Sequence, residues 1–444
     1  MTYRLPVLVQ MPIHSQVAGP LTYLSDELLE PGVLVRVPLG QRETLGMVWG
    51  APLEASEQAI DSTKLRGLGS VLRGLAPLNQ RWRDLITFAA GYYQRALGEV
   101  AMAALPPALR DVTAVQLERR LRKVEKAFSK LSSTAVLLPE TVPELSPDQS
   151  RVLGEFNAQT GPFLLFGATG SGKTEVYLRC VQDVLTREPK SQALVMVPEI
   201  NLTPQLEARF LARFAPTFGP EAVVSLHSGM SNPQRMSSWL AAHQGTARIV
   251  LGTRMAVFAS MPGLRLIVVD EEHDPSYKQQ EGARYSARDL AVYRGRAERA
   301  KVLLGSATPS LESWHHSRPA NEGGRYVRLT MSNRIGTQAG SDSAANTGLP
   351  VVRRVDMNHQ PRRALISPPL LDAIKARAGR GEQSMIFLNR RGYAPVLACT
   401  SCDWKSQCPH CSAYRVFHKL DRTLRCHHCG LTERVPRACP ECGN

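Results

Sequence analysis

Alternating apolar and polar positions in YRLPVLVQM, in VLVRVPLG ending at Gly40 and in LGMVWG ending at Gly50 predict short strands divided by turns. A helix-like stretch from Gln80 to about Ala96 follows, so residues 1–106 read as a small β-rich domain without catalytic spacing. From Asp111 to Ser133 the period becomes helical and basic (QLERRLRKVEKAFSKL), which predicts a linker helix with a solvated charged face inside 107–144. Beyond Leu145 the apolar runs FLLFG, ALVMVP, AVVSLH, RIVLG, LRLIVVD and KVLLGS alternate with helical segments. Such alternation predicts a parallel sheet covered by helices on both faces, here over 145–335, with ligands at the carboxyl ends of the strands. The small polar run GTQAGSDSAANTG makes 336–350 a flexible loop. Residues 351–398 begin another α/β segment, in which SMIFLNRRGYAP reads as a helix-to-strand passage, and a cysteine module occupies 399–444. The expected class is α/β.

Composition narrows the setting. At 444 residues the chain has room for about three domains. Its formal net charge of +15 favours a polyanionic partner, because a basic surface concentrates and steers phosphate backbone. The N-terminus carries no secretory pattern, and no apolar run approaches the roughly 20 residues that span a bilayer. A cytoplasmic protein with no membrane partner is expected, with reduced thiols, so paired cysteines are metal ligands rather than disulfides. Cys180 stands apart from the others on a helix and reads as a small buried hydrophobe.

Gly167-Ala168-Thr169-Gly170-Ser171-Gly172-Lys173-Thr174 follows the strand FLLF and opens a helix, the setting a phosphate loop requires. Glycines turn backbone N–H groups onto phosphates, Lys173 reaches the β/γ oxygens of ATP, and the Thr174 hydroxyl ligates Mg²⁺. An acidic pair at the end of a neighbouring strand completes such a site. LRLIVVDEEHD supplies Asp270 to hold Mg²⁺ and Glu271 to orient the attacking water. Helix capping is the bland alternative for these carboxylates.

Four Cys-x-x-Cys pairs follow: Cys399/Cys402, Cys408/Cys411, Cys426/Cys429 and Cys439/Cys442. Each turn presents two thiolates to a tetrahedral ion, so they make two structural Cys₄ sites for two Zn²⁺. Order alone allows three ways of joining the turns, and His410, His427 and His428 offer a mixed ligand set as an alternative.

The DEEH run, Ser306-Ala307-Thr308, Gly252 to Arg254 and HSGMS at His227 to Ser231 resemble superfamily 2 DNA helicase motifs. DEEHDPSYKQQEGARYSARDLAVYR, together with eight cysteines just after FLNRRGYAP, resembles the PriA family of primosomal replication-restart helicases over nearly the whole chain. The resemblance implies a RecA-like helicase lobe over 145–335, a 3′-DNA-binding domain over 1–106 and the start of a second lobe over 351–398. It implies that Gln149 contacts adenine, and that Pro198, Glu199, His227 and Ser228 fall in the following motifs. Arg254 would line the DNA-facing edge, Ser306 to Thr308 would couple hydrolysis to motion, and Tyr277, Lys278, Arg284 and Tyr285 would form the loop that senses single-stranded DNA. It also implies nested zinc sites: Cys399, Cys402, Cys439 and Cys442 on one ion, the remaining four on the other. Gly40 falls in the turn that approaches DNA. Leu21-Thr22-Tyr23 departs from the family's Phe-Asp-Tyr and removes the acid expected to receive a 3′ hydroxyl. The implied activity is ATP-dependent 3′-to-5′ unwinding at abandoned forks. The implied partners are forked and single-stranded DNA, primosomal proteins, the replicative helicase loader and single-stranded-DNA-binding protein. The family continues beyond the position of Asn444 with the rest of a second lobe and its arginine, so the rival expectation is a fork-binding module without catalysis.

Overall fold

The computed structural model describes residues 2–11, 19–53, 65–131, 142–198, 204–335, 352–361, 366–387, 396–402, 404–410, 413–427 and 429–444. They form two compact units, Met1–Leu349 and Pro350–Asn444. The expected flexible loop at 336–350 lies outside the described residues, as does 388–395 of the passage SMIFLNRRGYAP, whose described residues 384–387 form neither helix nor strand.

The N-terminal sheet comprises β1 (Tyr3–Val9), β2 (Leu21–Ser25), β3 (Leu34–Leu39), β4 (Arg42–Val48) and β5 (Ser70–Val71), in the order β2-β1-β4-β3-β5. Period-2 patterning sorts its side chains. Leu5, Val7 and Val9 pack with Val35, Val37 and Val48 on one face, whereas Leu8, Leu34, Leu45 and Met47 face α1 (Gln80–Tyr92) and α2 (Leu97–Ala103). Asn79 caps α1 by accepting the Trp82 N–H at 2.9 Å. The basic stretch forms α3 (Ala114–Leu131), whose Leu117 and Leu121 join the core.

The second half of this unit runs α4 (Pro147–Ala158), β6 (Phe163–Gly167), α5 (Lys173–Arg187), β7 (Gln192–Met196), α6 (Pro204–Phe218), β8 (Val223–Leu226) and α7 (Asn232–Gln244). It continues with β9 (Ile249–Gly252), β10 (Leu264–Val269), α8 (Ala287–Glu298), β11 (Lys301–Ser306), α9 (Leu311–His316) and β12 (Val327–Met331). All pairs in its seven-stranded sheet, β12-β6-β11-β10-β7-β9-β8, are parallel. Side chains of α4, α5 and α6 share a core with one face of the sheet, those of α7 and α8 with the other. Burial on both faces is what turns these strands into continuous apolar runs.

The two halves of this unit share one core. Trp82 Nε1 donates to the Phe258 carbonyl at 2.8 Å, Phe88 stacks on Tyr293 with centroids 3.6 Å apart, and His243 Nε2 donates to the Ala76 carbonyl at 2.9 Å. In the other unit, α10 (Pro368–Gly379) precedes a small antiparallel sheet of β13 (Val416–His418), β14 (Thr423–Arg425) and β15 (Thr432–Arg434).

Candidate functional site

Between β6 and α5 the chain reverses through Gly170 and Gly172, whose φ angles of +86° and +85° are open to glycine at little cost. A Cβ at Gly172 would stand 2.5 Å from Gln149 Nε2. No side chain caps α5, so its N-terminal end faces the loop. Lys173 is buried and its Nζ donates to the Gly167 carbonyl at 2.9 Å, while Thr169 and Gly170 are exposed and Thr174 is half-buried. Ser171 Oγ is buried with no hydrogen-bond partner. An orphaned hydroxyl inside a glycine cradle is what a loop shaped around phosphate oxygens leaves when described alone.

Gln149 ties α4 to this loop. Its amide oxygen accepts the Ser146 N–H at 2.8 Å and its Nε2 donates to the Gly172 carbonyl at 3.2 Å. The neighbouring Asp148 Oδ2 accepts backbone N–H groups of Ser332 and Asn333 at 3.1 and 3.2 Å. Burial works to raise the Asp148 pKa, but bonds from Arg151 and these amides hold it below the usual carboxylate range. Just beyond, Ile335 N–H donates to the Gly170 carbonyl at 3.1 Å.

Asp270 follows β10. Its N–H donates to the Met196 carbonyl at 2.8 Å, its Oδ1 accepts the Tyr177 hydroxyl at 2.9 Å and its carbonyl accepts the Tyr277 hydroxyl at 2.6 Å. Burial pushes its carboxyl pKa up, with the Tyr177 bond and the Lys173 charge opposing. Glu271 is half-buried and left-handed, at φ +43°. His273 Nδ1 lies 2.7 Å from Ser306 Oγ and its Nε2 3.3 Å from Thr308 Oγ1, which joins the acidic run to the Ser306-Ala307-Thr308 turn. Sequence reasoning passed over Glu272. It is 1 % exposed and accepts from Ser310 N–H at 2.7 Å, Ser310 Oγ at 3.0 Å and Ser313 Oγ at 2.8 Å. In the sequence it stands only as a third acid after Asp270 and Glu271.

The expected DNA-contacting residues separate. Arg254 and Tyr285 line a cavity of about 490 Å³ between α2 and the second half of the unit, with Glu99, Ser228, Arg235 and Phe258. Burial pushes the Tyr285 phenol up to about 12. Arg284 is exposed in left-handed backbone at φ +45°. Lys278 Nζ lies 5.3 Å from the Tyr93 ring centroid, and the Tyr93 hydroxyl accepts the Ser286 N–H at 2.9 Å. Tyr277 differs from expectation: at 2 % exposure, with its hydroxyl held by the Asp270 carbonyl, its ring is not presented to a base. Gly40 turns the β3–β4 hairpin at φ +62° in open space. Glu199 lies outside the described residues.

In the cysteine module every Cys-x-x-Cys turn begins alike. The N–H groups of Cys399, Cys408, Cys426 and Cys439 donate to the carbonyls of Trp404, Ala413, Leu431 and Asn444, at 2.9, 2.8, 2.8 and 2.8 Å. The turns then converge in nested fashion: Cys399, Cys402, Cys439 and Cys442 form one cluster, and Cys408, Cys426 and Cys429 another. Sγ atoms lie 3.6 Å apart for Cys399 and Cys442, 3.6 Å for Cys402 and Cys439 and 3.5 Å for Cys408 and Cys429. Zn–S bonds of about 2.3 Å in a tetrahedron put sulfurs about 3.8 Å apart, so the thiol sets fit zinc. Cys411 and His428 lie outside the described residues. His427 Nε2 lies 3.1 Å from His418 Nε2.

A phosphate loop tied by Tyr177 to a strand-end aspartate, on a parallel sheet whose Ser306-Ala307-Thr308 turn touches the acidic run through His273, defines a helicase-type nucleotide-binding lobe. The DEAD/DEAH box helicase model matches residues 146–316, the 3′DNA-binding domain (3′BD) model matches 6–106, and the PriA DNA helicase Cys-rich region (CRR) domain model matches 408–434. The chain belongs to the PriA family. It is similar to the replication restart protein PriA of Haemophilus influenzae, 34% identical over 94% of this chain and 63% of the relative, and to that of Rickettsia conorii, 34% over 95% and 60%. The Bacillus subtilis protein of that name is 39% identical over 64% of this chain and 33% of its own length. The chain thus spans about three fifths of the length of the first two relatives. Among the described residues no helix is long and apolar enough to cross a membrane.

Proposed function

We propose that this chain supplies the ATP-binding and DNA-binding parts of a replication-restart helicase, one that recognises abandoned forks, moves 3′ to 5′ and opens a site for primosome assembly. What carries the reading is the bond from Tyr177, on the helix that Lys173 opens, to Asp270 at the end of β10, in a chain that also matches the 3′DNA-binding and Cys-rich domains. The partners this reading implies are forked and single-stranded DNA, primosomal proteins, the helicase loader and single-stranded-DNA-binding protein.

In this reading the loop from Gly167 to Thr174 binds ATP. Lys173 exchanges the Gly167 carbonyl for β/γ-phosphate oxygens, and Ser171 Oγ gains the partner it lacks. Gln149 holds the loop and lies beside the adenine. Asp270 and Thr174 are the residues that would hold Mg²⁺, which when bound neutralises charge developing on the phosphates. Glu271 orients the attacking water and accepts its proton. His273, between Glu271 and Ser306, is placed to report the state of the acidic run to the β11 turn. Arg254, Arg284 and Lys278 neutralise DNA phosphates, Tyr285 lies beside the strand, and Gly40 lets the β3–β4 turn approach it. Two Zn²⁺ hold the Cys-rich region.

Calorimetry and single-turnover hydrolysis test this. Lys173→Ala is expected to lose most ATP affinity, and Asp270→Asn to keep nucleotide but lose Mg²⁺-dependent turnover with or without forked DNA. Equal ATP affinity in wild type and Lys173→Ala would overturn the loop assignment. Fork binding without any hydrolysis would leave a DNA-binding module.

A further inference from the structure

Tyr177 lies one turn beyond Lys173 and Thr174 on α5 and is 2 % exposed. Its hydroxyl donates to Asp270 Oδ1 at 2.9 Å. Space for the phenol depends on Gly305 in β11, where an added Cβ would stand 1.7 Å from the Tyr177 oxygen and 2.7 Å from Cζ. The helix of the phosphate loop, the strand of the acidic run and β11 therefore meet at one hydroxyl.

The consequence is rotational. The backbone of Asp270 is fixed by its own N–H on the Met196 carbonyl and by Tyr277 on its carbonyl, bonds that do not restrain the carboxylate; the carboxylate itself accepts the backbone N–H of the adjacent Glu271 and the Tyr177 hydroxyl. The χ2 torsion of aspartate is broad and roughly two-fold, so an unrestrained carboxylate samples many orientations. The Glu271 N–H moves with the Asp270 backbone, whereas the Tyr177 hydroxyl on Oδ1 comes from α5 and ties the carboxylate to the helix of the phosphate loop without occupying Oδ2. We propose that Tyr177 is a positioning residue for the divalent cation of the nucleotide site, orienting the Asp270 carboxylate so that its second oxygen is available to the ion or its waters. This rests on the nucleotide reading above. The competing account makes Tyr177 a core residue whose hydroxyl takes the nearest acceptor. On that account its loss lowers stability without altering metal dependence.

The test uses the 444-residue chain and a fluorescent ATP analogue, titrated in EDTA and at stepped Mg²⁺ concentrations. Tyr177→Phe is expected to match wild type in EDTA and to need about 10-fold more Mg²⁺ for half-maximal tightening, the scale on which outer-shell ligand partners act. In an Asp270→Asn background the same substitution should change nothing further, because the two residues act through one bond. Gly305→Ala, whose Cβ displaces the hydroxyl, should reproduce the shift and serves if Tyr177→Phe does not fold. Unchanged Mg²⁺ half-saturation in both variants, or equal loss of affinity with and without metal, would overturn the proposal. If the wild type binds the analogue but gains nothing from Mg²⁺, the metal reading of Asp270 fails and the proposal with it. If it binds no analogue at all, the nucleotide reading itself has failed.

Discussion

His243 is held between two oxygens, and their chemistry decides its proton. The Ala76 carbonyl at 2.9 Å only accepts, so Nε2 carries the hydrogen and Nδ1 accepts from Ser260 Oγ at 2.8 Å. Burial lowers its pKa, with the Ala76 bond opposing, so the folded ring stays neutral where an unfolded one protonates, near about 6.5. Its contribution to stability is therefore complete above that value and is lost as pH falls from it toward the lowered folded value, by up to ~1.4 kcal/mol per unit. Urea unfolding at about one unit above and one unit below 6.5 should show a steeper loss in wild type than in His243→Gln, which cannot titrate. Residues of this kind were not legible in the sequence: nothing local to His243 announces Ala76, which a different domain brings to it. Lys173 and Asp270 were legible because phosphate chemistry demands their types at fixed distances from a strand end. Tyr277 was misplaced for the opposite reason. An aromatic beside basic residues looks the same whether its hydroxyl meets a backbone carbonyl or its ring meets a base.

Among elements, α2 shows how a local preference is outweighed. Alanine is favoured over glycine in a helix by about 1 kcal/mol, yet a Cβ on Gly98 would stand 2.0 Å from the Val9 carbonyl of β1. Gly98→Ala should therefore destabilise the protein by about 3 kcal/mol, read by thermal or urea unfolding, because backbone cannot yield as a side chain does. The strands of the larger sheet were readable from apolar runs except β12. There Leu329 and Met331 are buried while Val327, Arg328 and Thr330 are half-exposed, the one-sided pattern of an edge strand. The cysteine turns carry their own signal, since Cys-x-x-Cys spacing needs no tertiary context; their pairing does. Elemental analysis should give two Zn²⁺ per chain, and Cys399→Ser and Cys408→Ser should each remove one. Chelation should expose 396–444 to protease, because structural zinc contributes an apparent ~10–16 kcal/mol to folding small modules.

At the scale of the molecule, charge and connectivity matter more than any contact. A net charge of +15 with cations at Arg254, Lys278 and Arg284 predicts fork and single-strand binding that weakens steeply with salt. For about six phosphate contacts, affinity should fall ~10³-fold between about 50 and 200 mM. Fluorescence anisotropy on forks, single strands and blunt duplex measures it, and a flat salt dependence or equal affinity for blunt duplex counts against the DNA reading. Connectivity bears on how the protein is made. Strands β7, β8, β9 and β10 pair among themselves, but β6, which leads into the phosphate loop, pairs among the described residues only with β11 and β12. On the ribosome β6 emerges before any of them and finds no partner until Lys301 to Met331 have followed. The strand that leads into the Gly167–Thr174 loop is thus flanked last in the sheet, and a nascent chain arrested before Lys301 exposes FLLFG as an open apolar edge, the kind of segment that invites chaperones or aggregation.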